Sequence, residues 1–86
     1  MPTISTFFGI LIRMYYREHN PPHFHVEYGE YHAIINIETL EIIEGGLPNR
    51  AVGMVMEWAT LNREALKANW TLSLERKPLK NIEPLE

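Results

Sequence analysis

The spacing of apolar residues changes once along this chain, at Pro48, and that change limits the fold more than any other feature. Before it, apolar and polar residues alternate. In "FFGILIRMYYR", Phe8, Ile10, Ile12, Met14 and Tyr16 fall on one face, and Leu11, Arg13, Tyr15 and Arg17 on the other. That period of two marks a strand with one buried side. In "HFHVEY", Phe24, Val26 and Tyr28 oppose His23, His25 and Glu27, and Gly29-Glu30 reads as a hairpin turn. "YHAIINIE" puts Tyr31, Ala33, Ile35 and Ile37 on the core side, and "TLEIIEGG" is a fourth short strand ending at Gly45-Gly46. After Pro48, a good first-turn residue, Ala51, Met54, Val55, Trp58, Leu61 and Ala65 recur at helical spacing. Asn69 offers a break, with a last short turn through "WTLSLER" before Pro78. The expectation is an α+β domain over residues 1–78: a four-stranded, mainly antiparallel sheet followed by one long helix packed on one sheet face, with room for a short C-terminal helix. Residues 79–86 are expected to form a loosely ordered tail.

A chain of 86 residues holds one domain. Its 45% apolar share with 22% charge is that of a globular protein, which excludes a disordered chain. The absence of cysteine removes disulfides, zinc–thiolate sites and cysteine nucleophiles together, and it fits a reducing compartment. The start lacks a basic signal-peptide region, and no run approaches the roughly 20 apolar residues of a membrane span. A cytoplasmic protein with no membrane partner is expected. At a net charge of −3 the surface as a whole does not attract nucleic acid, so RNA binding would need a local basic patch.

The candidate chemistry sits on the polar face of the sheet. His19-Asn20-Pro21-Pro22 interrupts the ladder, since neither proline donates a hydrogen bond. Residues i and i+2 of a strand lie about 7 Å apart on one side. One face therefore gathers Arg13, Tyr15, Arg17, His23, His25 and Glu27, with His32 and Asn36 from the third strand. Three readings follow. His23-x-His25 is good spacing for two imidazole metal ligands, with Glu27 or His19 as a third. The zinc-deaminase start that His25-x-Glu27 resembles needs cysteines the chain lacks, and the glycines are not at cupin spacing. Alternatively, His23, His25 and Glu27 act as catalytic acid–base groups on a phosphodiester, while Arg13, Tyr15, Arg17, His19 and Asn36 bind the substrate. On the third reading the histidines only satisfy the carbonyls of the turn and the polar face is solvated. No cofactor is expected, and a metal only on the first reading, held by His23 and His25. The tyrosines read as cross-strand packing, Trp58 as core, and Trp70 as core or a partner's anchor.

"MPTIS-x-FFGI-x-IRMY", "HNPPHFH-x-EYGE", "EGGLP-x-RA", "EWA-x-L" and "NW" together resemble a bacterial family, the domain of unknown function 4160. The resemblance runs from Met1 to about Leu85 and is most specific from His19 to Glu30; Gly45-Gly46 departs from it, in a loop. It implies a small protein paired with a second small protein, of the domain of unknown function 2442, with the present chain as toxin of a type II toxin–antitoxin module. On that footing the partners are a small antitoxin, RNA or the ribosome, or a second copy of the chain. The resemblance carries no catalytic residue across. It singles out His19 to His25, Arg13 and Tyr15 as matching positions.

Overall fold

The computed structural model describes residues 2–86; Met1, where the resemblance begins, lies outside them. The described chain forms β1 (Thr3–Phe7), β2 (Ile10–Arg13), β3 (His23–Tyr28), β4 (Tyr31–Asn36), β5 (Ile42–Gly46), α1 (Asn49–Leu61) and α2 (Arg63–Leu74). The strands pair only with their sequence neighbours, in the order β1-β2-β3-β4-β5 and antiparallel throughout. The α+β class holds, with an antiparallel sheet, but the sheet has five strands where four were expected.

The extra strand, β1, precedes the first alternating run and joins it through a hairpin turn at the start of that run. Phe8 and Gly9 both take left-handed backbone angles (φ 49° and 80°), as a two-residue turn between antiparallel strands requires. Phe7 then pairs with Ile10 and both face the core, while Phe8, expected inside, is 60% exposed at the tip. The turn puts Phe7 and Ile10, three positions apart, on one face, so it reverses the parity, and period-two counting carried back from Ile10 wrongly placed Phe8 inside.

The single long helix is likewise two. Asn62 breaks it, with φ −120° and ψ 22°, and its Nδ2 donates to the Trp58 carbonyl at 2.8 Å. An amide side chain that bonds backbone in this way competes with helical hydrogen bonding. Asn69, where the break was expected, lies within α2.

Both helices cover one sheet face. Ile10, Ile12, Met14, Phe24, Val26, Ile35 and Ile37 bury against Ala51, Val55, Trp58, Ala59 and Leu66. Trp58 stands at the centre, 5.5 Å from the Phe7 ring and 6.0 Å from the Phe24 ring. Residues 79–86, expected to lie loose, have no regular secondary structure yet are tied down at three points. The Ile82 amide donates to the Ile4 carbonyl at 2.7 Å on the outer edge of β1. Trp58 Nε1 donates to the Glu83 carbonyl at 2.8 Å. The Asn69 side chain brackets the Lys80 backbone with two 2.9 Å bonds. No described helix is long and apolar enough to cross a membrane.

Candidate functional site

The connection between β2 and β3, residues 14–22, folds back toward the start of β3. Arg17 in the left-handed region (φ 61°) reverses the chain there, and Glu18, the single acid of this connection, is delivered over the start of β3. His23 and His25 project from one side of that strand, each only 8% exposed. Both aim Nε2 at the same atom: Glu18 Oε1 lies 2.7 Å from His25 and 3.1 Å from His23. The three donor atoms fall within 4.8 Å of one another.

The second nitrogen of each ring is also engaged. His23 Nδ1 lies 2.7 Å from the Pro21 carbonyl oxygen, and His25 Nδ1 lies 3.2 Å from Nε2 of His32 on the neighbouring strand. Tyr15 packs edge-on against the His25 ring at 4.4 Å, and Trp70 of α2, 5% exposed, backs the His23 ring at 5.1 Å. Trp70 is therefore core, and its neighbour is a site histidine.

The hydrogen-bond polarity at His23 is informative. A carbonyl oxygen only accepts, so Nδ1 must donate to Pro21. A neutral His23 then presents a lone pair at Nε2, directed at a carboxylate oxygen that can also only accept. Two acceptors 3.1 Å apart need positive charge between or upon them. At Glu18 itself, burial pushes the carboxyl up. Hydrogen bonds from His25 and His23, with their charge, outweigh that and hold it below the usual carboxylate range.

Of the residues the sequence singled out, the fold brings together His23, His25 and Tyr15. Arg13 lies directly across the ladder from His25, but its guanidinium is turned to Glu27, Nη1 to Oε2 3.4 Å, so these two form a pair beside the cluster. Arg17 and His19 are exposed in the connection. Asn36 Oδ1 accepts from the amides of Glu38 and Thr39, at 2.7 and 3.0 Å, and so shapes the turn after β4. Sequence reasoning missed Glu18. Its signal was its isolation as the one carboxylate in a connection long enough to fold back on the strand. His32 was placed on the right face but not recognised as a neighbour of His25. Two surface clefts, of about 360 and 290 Å³, lie between the tail and the helices and share no residue with this cluster.

Two imidazoles and one carboxylate converging from a strand and a loop are a donor set for a divalent transition metal such as zinc, and leave further coordination positions open. Zinc bonded at about 2.0–2.2 Å would hold three such atoms roughly 3.3–3.5 Å apart, so slight side-chain rotations suffice. Acid–base chemistry fits less well, because all four nitrogens of His23 and His25 already have partners.

The family model described as "Domain of unknown function (DUF4160)" matches residues 9–71, which includes every residue of the cluster. No curated protein and no solved structure matches the chain.

Proposed function

Because the chain belongs to the DUF4160 family, whose description assigns no chemistry, we propose its function from the site: it binds one divalent transition-metal ion through Glu18, His23 and His25. The observation that carries this reading is the close approach of His23 Nε2 and Glu18 Oε1, which are both acceptors when His23 is neutral because the Pro21 carbonyl on the far side of the ring takes its one proton. A cation between them turns a repulsive contact into two bonds. The lack of cysteine leaves nitrogen and oxygen as the strong donors available, which suits zinc, nickel or cobalt. The test is calorimetric titration of untagged protein with ZnCl2. One equivalent binding, weakened at least tenfold by His25→Ala, supports it; no binding of zinc, nickel or cobalt below millimolar concentration refutes it.

A second reading concerns partners, and the two edges of the sheet favour it. The tail covers the β1 edge through Ile82, whereas β5 is exposed along its whole length, with Ile42 38% and Ile43 49% exposed. An unpaired edge is a template for an added strand. Residues 18–49 hold six glutamates (18, 27, 30, 38, 41 and 44) and no lysine or arginine. A strand from a basic partner fits this edge better than a second copy of the chain. The toxin role in a two-protein module, in a cytoplasmic setting, is this reading carried to the cell. Direct action on RNA is its weaker form, given that acidity. Growth arrest on expression of the chain alone, relieved by a co-encoded small protein, would support the toxin role; unaffected growth would refute it.

A further inference from the structure

The two metal-directed histidines differ in how their tautomers are set. His23 is fixed by backbone: its Nδ1–H donates to the Pro21 carbonyl, which leaves Nε2 free to ligate. His25 has no carbonyl at that position. Its Nδ1 faces Nε2 of His32, a group that can donate or accept, at 3.2 Å with ring centroids 5.3 Å apart.

The polarity of that bond must differ between the two states of the site. Without metal, a neutral His25 donates its Nε2–H to Glu18 Oε1, 2.7 Å away, so Nδ1 is the acceptor and His32 Nε2–H the donor. With metal, His25 Nε2 gives its lone pair to the ion and cannot keep a proton. The proton must then sit on Nδ1, and His32 Nε2 must accept it. We propose that His32 is the positioning residue of the site, switching the tautomer of His25 as the metal binds. The proposal rests on the metal-binding reading above.

The proton balance closes. On loading, His25 Nε2 gives its proton to solvent, and the proton in the His32–His25 bond passes to His25 Nδ1. His32 takes one from water at its own Nδ1, which its exposure allows. No net proton is released by this pair. An exposed residue of β4 thereby controls a ligand buried in β3, directly through one hydrogen bond. Partners of this kind typically set metal affinity by about 10–100-fold.

The experiment is a zinc titration of wild type, His32→Ala and His32→Gln, with ¹⁵N-histidine spectra of each before and after loading. His32→Ala is expected to bind zinc at least tenfold more weakly, and His32→Gln to recover most of that loss, since its amide oxygen accepts from Nδ1–H. The wild-type spectra should show His25 passing from the Nε2–H to the Nδ1–H tautomer on loading. Affinity in His32→Ala within twofold of wild type, or ligation of His25 through Nδ1, overturns the role of His32 while leaving the metal site standing. Failure of the wild type to bind zinc overturns both.

Discussion

Replacing Glu18 by glutamine separates a metal ligand from a structural ion pair, because the two accounts predict opposite signs. At pH 8 histidine side chains are in general neutral, and a neutral His23 with its Nδ1 proton held by Pro21 has only a lone pair to offer Glu18. Glutamine has nearly the same shape, but its amide donates as well as accepts. Both rings meet the single atom Oε1, so a turn of the amide is needed for its nitrogen to donate to His23 Nε2 while its oxygen accepts from His25. In the metal-free protein, Glu18→Gln therefore exchanges an acceptor conflict for a neutral hydrogen bond worth about 0.5–1.5 kcal/mol. The variant should melt at or above the wild-type temperature. Metal reverses the order. Zinc free at 100 times its Kd stabilises wild type by about 2.7 kcal/mol. At about 4–8 °C per kcal/mol for a domain this small, its Tm should rise by roughly 10–20 °C. Glu18→Gln should show little of that rise. Thermal unfolding by circular dichroism, with EDTA and with zinc, reads both effects. A variant destabilised by about 2 kcal/mol or more in EDTA would refute the reasoning, since it would make Glu18 a structural partner of imidazolium groups.

Other expectations concern stability. The Glu18 carboxyl is held below its ordinary value by hydrogen bonds and charge from His25 and His23, a contribution made in acid, where those rings are cationic, and lost as pH falls through the lowered carboxyl value. In EDTA, acid titration of stability should therefore show a loss below pH 4.5 that is smaller in Glu18→Gln. Trp58→Ala removes the central ring of the core and the bond to Glu83, and should cost about 3–5 kcal/mol in urea unfolding. A cost under 1 kcal/mol would show that the core is not centred there. Asn69→Ala leaves the Lys80 amide and carbonyl without partners, which should cost about 1–3 kcal/mol and speed hydrogen exchange at Ile82. Gly45→Ala forces a Cβ into the His32 carbonyl oxygen at a left-handed position and should loosen β5, seen as faster amide exchange along that strand.

Much of the fold was legible from periodicity. Phe24, Val26, Ile35, Val55 and Trp58 are buried where alternation and helical spacing put them. What escaped was punctuation. Phe8-Gly9 turns the chain with a bulky residue in the left-handed region, a place where composition suggests no turn. Asn62 breaks the helix through its own side chain, while Asn69, an equally plausible breaker, spends its amide on the tail. The tail looked loose because it is fastened through its own backbone groups, to the Ile4 carbonyl and to the Trp58 and Asn69 side chains, which leaves no pattern in the tail's residues. Spacing found the histidine pair in the same way, since i and i+2 on a strand share a face. It could not find Glu18, five and seven residues before His23 and His25, because that approach depends on how the connection folds back.

The most direct test of the metal site is X-ray absorption at the zinc edge of the protein loaded with one equivalent. The account predicts two imidazole scatterers and one carboxylate oxygen at about 2.0–2.2 Å, with one imidazole lost in His25→Ala and the oxygen shell altered in Glu18→Gln. A spectrum of hexa-aqua zinc, or an imidazole count unchanged in His25→Ala, would contradict it.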